Sequence, residues 1–479
     1  MNNKTFVNNF LWRFLERCGA QGVQFVVSII LARILAPETY GTIALITVFT
    51  TIMQVFIDSG LGMALIQKKD ADDIDFSSVF YFNMLMCVVL YGLMFAIAPF
   101  IAGFYSMPEL TSLVRVLSLS LLVYGVRGIQ QAYVSKTMKF KNFFFSTLGA
   151  TLLSAVVGIY MAYKGYGVWA LVGQSLSSNI ISTAILWITV KWRPKWLFSF
   201  SRLKGLFSYG WKLLVSALLD TVYKDIRSLI IGKFYSSEAL AFYNKGKQFP
   251  SLAVDNINVS IDSVLLPTMS NEQDDKERVK MMTRRAIKIS TYVIAPLMIG
   301  LAAVAEPFIE LLLTPKWLPC VPFLRLFCLT YMIYPIHTAN LNAIKAMGRS
   351  DMFLKLEIIK KTIGMVALVS TMWISVEAMT YSLLGTTIVS SFVNALPNKK
   401  LLGYSYLDQI VDIFPALLLS AVMGLTVYSV VLLNLSSIVT LIIQLPLGVL
   451  IYVLGSKLLH IESYEYILTL LKSYIKNRK

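Results

Sequence analysis

Residues 77–102 read SSVFYFNMLMCVVLYGLMFAIAPFIA, 26 positions without one charged side chain. As an α-helix this run is about 39 Å long, more than the ~30 Å hydrocarbon core of a bilayer. It is apolar on every face, so it predicts a membrane-spanning helix. The rest of the chain has the same character. Of 479 residues 57% are hydrophobic and 14% charged, against about 25% charged in an ordinary soluble domain. Mean hydropathy is +0.68. Too few polar side chains remain to cover a water-soluble fold, which excludes a soluble enzyme and a disordered protein. Four cysteines make no disulfide framework. Cys320 and Cys328 are eight apart on one expected helix, about 12 Å along its axis, too far to bridge.

Working outward from 77–102, fourteen candidate spans appear, near 11–35, 40–66, 77–102, 111–134, 143–163, 168–190, 206–232, 240–267, 286–312, 320–344, 352–373, 378–396, 408–433 and 438–459. The apolar run after MNNKTFVNNF has no small-residue cleavage site and reads as a retained first helix. Basic residues crowd alternate connections: Lys68 and Lys69; Lys136, Lys139 and Lys141; Lys191 to Lys204; Lys276 to Arg285; Lys345 and Arg349; Lys399 and Lys400; and the last stretch. The other connections hold only Lys164, Lys233 and Lys316. By the positive-inside rule the expectation is a cell (inner) membrane protein with both termini cytoplasmic. This placement explains most of the net charge of +17 without nucleic acid. SNEQDDKERVKMMTRR (270–285) is expected to be the longest connection. Residues 461–479 read as an amphipathic cytoplasmic tail, with Tyr464, Ile467, Leu471, Tyr474 and Ile475 on one face.

A shift of 200 sets LARILAPETYG (31–41) on IGKFYSSEALA (231–241), with Arg33 on Lys233 and Glu38 on Glu238. A shift of 210 sets Arg115 on Arg325, Tyr124 on Tyr334, Gln130 on Asn340 and Lys139 on Arg349. The expected fold class is therefore an all-α polytopic membrane protein of about 14 helices, two six-helix lobes as parallel repeats plus two C-terminal helices. The expected divisions are an N-terminal lobe (1–200), a C-terminal lobe (201–400), helices 13 and 14 (401–460) and the tail.

A charge at the bilayer centre costs at least ~2.5 kcal/mol, so ionisable residues inside spans are candidates for function. Arg13, Glu16, Arg17, Gln21, Gln24 and Ser28 form a polar stripe on the first helix. Arg17 is the deeper cavity candidate, and Arg13 reads equally well as snorkelling to the surface. Asp220, Tyr223, Lys224 and Arg227 share one face of the seventh helix, with Asp225 beside them. Asp220 and Lys224 read either as a cavity lining or as an i,i+4 pair. On the eighth helix Asp255 and Asp262 read either as proton or Na⁺ carriers or as partners for Lys224 and Arg227. Arg127 and Gln130 are matched in the repeat by His337 and Asn340. His337 reads as a titratable site or as a hydrogen-bonded structural residue. Arg115, Arg325 and Arg33 read as anchors. Recurring cations suit a phosphate or pyrophosphate, which arginine binds through two parallel hydrogen bonds.

The chain holds no G-x-x-x-x-G-K-[ST] or H-E-x-x-H motif, and its two histidines argue against a His-rich metal site. No cofactor is expected. Energy would come from an H⁺ or Na⁺ gradient, the membrane potential or the substrate gradient.

LARILAPETYGTIAL (31–45), DSGLGMALIQ (58–67), FYSMPELTSLVRVLSLS (104–120), GYGVWALVGQ (165–174), IGKFYSSEALAFYNKGKQFP (231–250) and AMGRSD (346–351) together resemble the Wzx-type polysaccharide transporters of the multidrug/oligosaccharidyl-lipid/polysaccharide exporter superfamily, in the colanic-acid/teichuronic-acid exporter style. The resemblance implies a non-enzymatic flippase carrying undecaprenyl-pyrophosphate-linked oligosaccharide to the periplasmic leaflet, in the bilayer alongside other polysaccharide assembly proteins. For head-group contact the buried charges then nominate Arg17, Lys224 and Arg227, with Arg127, His337 and Arg13 behind them. They nominate Asp220, Asp225, Asp255 and Asp262 for coupling or charge balance. The alternatives are an ion-coupled multidrug antiporter, which would want an acidic cavity, and a membrane polymerase or ligase, which would want a large outer loop.

Overall fold

A computed structural model describes the backbone of residues 3–58 and 61–476. The side chains of 3–11, 13–18, 58, 208, 209, 212, 470, 471 and 474–476 lie outside the described residues. The described residues are helical, with no strand among them. The first elements are α1 (Asn3–Ile34), α2 (Pro37–Asp58), α3 (Leu61–Gln67), α4 (Asp73–Tyr105), α5 (Leu110–Leu117), α6 (Leu119–Lys136), α7 (Lys141–Tyr163), α8 (Val168–Thr189) and α9 (Phe200–Phe234). Then come α10 (Ser237–Asn271), α11 (Lys276–Ala303), α12 (Ala305–Leu313), α13 (Val321–Met332), α14 (Tyr334–Ala346), α15 (Ser350–Thr371), α16 (Val376–Leu402), α17 (Tyr406–Ser429), α18 (Ser437–Leu458) and α19 (Glu462–Lys476). Among the described residues nine helical segments are long and apolar enough to cross a membrane. The described side chains of α1 leave the shorter apolar stretch Gly19–Ile34, and in the comparably long α9, α10, α15 and α16 charged, amide and hydroxyl groups dilute the apolar residues. With these five the membrane-length segments match the fourteen expected.

The chain forms two compact units, residues 1–241 and 242–479, divided within α10. In the first unit α7 lies along α8 and α1, and α4 and α8 pack on α6. In the second, α15 lies along α16, while α11 and α16 pack on α14. The last two long helices join this unit through α11 against α17 and α17 against α18.

Helix α4 shows how an all-apolar helix divides its surface. Cys87, Leu90, Met94, Ala98 and Ile101 are buried at helical spacing. Leu85, Val88, Phe100 and Phe104 on the other side are more than half exposed. Water would penalise that second face, and hydrocarbon does not.

The 270–285 stretch departs from expectation. It is almost wholly helical, because α10 runs to Asn271 and α11 begins at Lys276. Asp275 caps α11 by accepting from the Arg278 N–H at 3.0 Å, and Arg278 pairs with Glu272 at 2.9 Å. The basic residues read as a loop thus sit on the first turns of α11. In the tail, Tyr464 and Ile467 pack on a protein cluster that includes Tyr292, Ala416 and Tyr452.

The link between α8 and α9 is fastened to the start of α4. Asp72 and Asp75 form a reciprocal capping box, and Arg202 pairs with Asp72 at 2.5 Å. Trp192 Nε1 and Lys195 reach Asp73 at 2.8 and 2.6 Å. The Arg202 guanidinium and the backbone N–H groups hold the Asp72 carboxyl down at about 2. Its small stabilising contribution is therefore present above the ordinary carboxylate range and is lost as pH falls towards 2.

Prolines inside spans leave carbonyls without their helical donor four residues on. Pro99 in α4 orphans the Phe95 carbonyl, and Arg115 Nε donates to that oxygen at 3.2 Å, its guanidinium 4.0 Å from the Phe95 ring. Pro296 in α11 orphans the Tyr292 carbonyl, which accepts from the Tyr452 hydroxyl at 2.7 Å. Arg115→Met should lower stability in detergent by about 1 kcal/mol. In a Pro99→Ala background, where the helix supplies its own donor, the loss should shrink. Equal losses in both backgrounds, read by thermal unfolding, would show that Arg115 does not act through this carbonyl.

Candidate functional site

Polar side chains are expensive inside a span, so their partners show which of them are already satisfied. On α9, Lys224 and Asp220 pair at 2.8 Å, one turn apart, with both side chains substantially exposed. This is the i,i+4 arrangement, worth little by itself. Asp225 is half-buried. Arg227, next along the same stripe, differs. It is 6% exposed, and its Nε and Nη2 are buried with no hydrogen-bond partner. A buried guanidinium with two open donors is costly and is shaped to receive an anion with two oxygens.

In the first unit Arg127 on α6 donates through Nη1 to Asn179 Oδ1 on α8 at 3.2 Å, and its guanidinium lies 4.5 Å from the Tyr124 ring. Its Nε is buried and unpartnered. One turn on, buried Gln130 donates to the Trp192 carbonyl at 3.1 Å.

The second unit repeats this layout with different chemistry. His337 on α14 meets Asn394 on α16, Nδ1 to Nδ2 at 2.8 Å. One turn on, buried Asn340 joins Gln409 and Asn398 through bonds of 2.6 to 3.0 Å. The fourth and sixth long helices of each half are thus bridged at matching places. Arg325, the counterpart of Arg115, donates through Nε to the Ala302 carbonyl at 3.3 Å, where α11 gives way to α12. Both arginines serve as anchors for interrupted backbone.

Asp262 on α10 is exposed and accepts from Asn342 on α14 at 2.5 Å, and Asp255 is exposed on the same helix. Arg13, Glu16 and Arg17 have side chains outside the described residues. Two features went unremarked in the sequence. Glu357 and Lys360 pair at 2.5 Å on α15, with Lys360 only 13% exposed. Lys245 on α10 is 4% exposed, with its ammonium 5.4 Å from the Trp317 ring. The signal for both was charge inside an expected span. Among the described residues no group of three or more His, Cys, Asp or Glu side chains could hold a metal ion.

Residues 30–322 match the family described as polysaccharide biosynthesis protein. The chain is 28% identical to the teichuronic acid biosynthesis protein TuaB of Bacillus subtilis (strain 168), over 80% of each chain. It is 25% identical to the succinoglycan biosynthesis transport protein ExoT of Rhizobium meliloti (strain 1021), over 85% of this chain and 80% of that one. Its fold is similar to that of a lipid II flippase MurJ in an inward closed conformation, with a TM-score of 0.75 at 16% identity over 95% of this chain and 99% of that one. With more than half its length matched by the family, this multi-pass membrane protein belongs to the polysaccharide biosynthesis protein family.

Proposed function

We propose that the chain moves a polyprenyl-pyrophosphate-linked oligosaccharide from the cytoplasmic to the outer leaflet of the cell membrane by alternating access. The observation that carries this is Arg227, a buried guanidinium with two unpartnered nitrogens on a membrane-length helix. A pyrophosphate supplies paired oxygens for both donors and neutralises a charge that hydrocarbon would expel. Lys224, Arg127, Arg13 and Arg17 extend the proposed contact to the anionic head group. Asp220, committed to Lys224, and Asp262, committed to Asn342, fit charge balance. The lysine-rich connections support an orientation with both termini cytoplasmic. The relatives named for teichuronic acid and succinoglycan biosynthesis support a surface-polysaccharide precursor as cargo.

Alternating access needs an end that closes. The repeated motifs 31–41 and 231–241 meet one another in the first unit. A Cβ on Gly41 would lie 1.6 Å from the Ser237 carbonyl oxygen, and one on Gly232 would lie 2.2 Å from a Leu45 methyl. Only glycine at 41 permits this approach of α2 to the start of α10. By the charge rule this is the outer end, so its contact reads as the closed outer gate.

Arg227→Ala should cut surface-polysaccharide export tenfold or more at normal membrane abundance, and Arg227→Lys should restore part of it. Unchanged export at equal abundance would remove Arg227 from the site. Gly41→Val should hold the gate apart. The measurement is labelling of Ser237→Cys by a membrane-impermeant maleimide added outside intact cells, expected to rise several-fold over the Gly41 background. Equal labelling would show that the contact is not a gate.

A further inference from the structure

His337 and Asn394 make a contact that can exist in two forms. As it stands, the Asn394 amide nitrogen lies 2.8 Å from Nδ1, so Nδ1 accepts and the ring is neutral, with its proton on Nε2. The Thr387 backbone faces the ring as a hydrogen-bond acceptor. The other end of the amide, Asn394 Oδ1, is buried with no hydrogen-bond partner. A protonated imidazole would carry a second N–H at Nδ1, and a half-turn of the Asn394 amide would bring Oδ1 round to accept it. The first unit holds the charged version of this contact already. Arg127, at the matching place on the matching helix, donates its charged N–H to Asn179 Oδ1.

We propose that His337 and Asn394 form a proton switch that couples transport to proton movement. Nδ1 takes one proton from water, the amide turns over, and the second unit adopts the arrangement that Arg127 and Asn179 hold permanently in the first. Loss of the proton to water on the other side of the membrane restores the neutral form. His337 is half-buried, so it combines a defined partner with incomplete enclosure by the helices around it. Around it, α14 contributes Tyr334, on which Tyr331 of α13 stacks at 4.7 Å. Helix α15 contributes Lys360, whose charge acts on the ring, and Glu357 paired to it. Helix α16 contributes Asn394 and Thr387, and α11 meets α14 through Ile287, Ile336 and Ala339. On α10, Asp262 is held by Asn342. Glu357 is the counter-charge that keeps the protonated cluster at a single net positive charge.

The proposal rests on the transport reading, and its test separates the two. The full chain, carrying His460→Gln so that one histidine remains, is labelled with ¹⁵N-imidazole in lipid nanodiscs. One ring should titrate between pH 4 and 9, and Asn394→Leu should shift its midpoint by at least one pH unit. A ring that never titrates, or that ignores Asn394→Leu, overturns the switch whatever the protein carries. In proteoliposomes loaded with a pH-sensitive dye, undecaprenyl pyrophosphate should drive a proton flux that falls at least tenfold in His337→Gln. His337→Arg, which copies Arg127, should also abolish the flux while undecaprenyl pyrophosphate still binds. Lipid movement with equal proton flux in wild type and His337→Gln overturns the switch and leaves the transport reading intact. Absence of lipid movement in wild type overturns the transport reading, while the titration still decides the switch.

Discussion

Hydrocarbon solvates neither a carbonyl nor a guanidinium, so each polar group carried into a span must find its partner within the protein. Most features of this chain follow from that constraint. Proline frees a carbonyl in α4, and Arg115 reaches it from α5. Proline frees another in α11, and Tyr452 reaches it from α18. A break between α11 and α12 leaves the Ala302 carbonyl to Arg325. Each irregularity in a helix is tied to a side chain from a neighbour, so these residues fix helix packing as well as satisfy backbone. An arginine in a span is therefore no sign of ligand binding until its donors have been followed to their ends.

Followed in that way, the cations divide. Arg115 is held by backbone, Arg325 by backbone at Nε and by Glu306 3.8 Å from Nη2, Lys224 by Asp220 and Lys360 by Glu357. Arg227 combines deep burial with two open nitrogens. An open donor in a low-dielectric site strengthens its interaction with an incoming anion, because no water competes for it. The same openness destabilises the empty protein, as expected where binding rather than stability has shaped the residue.

Much of this architecture was legible in the sequence. The 77–102 run announces a span by itself, and fourteen such runs emerge because hydropathy averages over many residues. The repeat was legible at Arg115 and Arg325 and at Gln130 and Asn340, since matched positions carry matched chemistry. The failures are local. The 270–285 stretch looked like a loop because charge was read as solvent, although a charged first turn capped by Asp275 is a good helix start. Glu357 and Lys360 were passed over because they stand among Lys355 and Lys361 in one charged stretch, where the sequence does not single out which two pair. Asn394 and Asn398 could not be linked to His337 and Asn340 at all, because a pairing across 57 or 58 residues leaves no local pattern.

The repeat also brings chemical differences between the two halves into view. Parallel halves share one orientation in the bilayer, so matched positions can be compared directly. Here the bridge between the fourth and sixth helices carries a permanent charge in one half, at Arg127, and a titratable ring in the other, at His337. At the next turn both halves bury an amide, Gln130 and Asn340, in direct hydrogen bonds. The second-turn amide is kept in both halves, while one turn before it an always charged side chain stands against a titratable one. Under the proposed switch, that difference lets one half respond to its surroundings. A proton gradient acts only where the affinity for a proton differs between states.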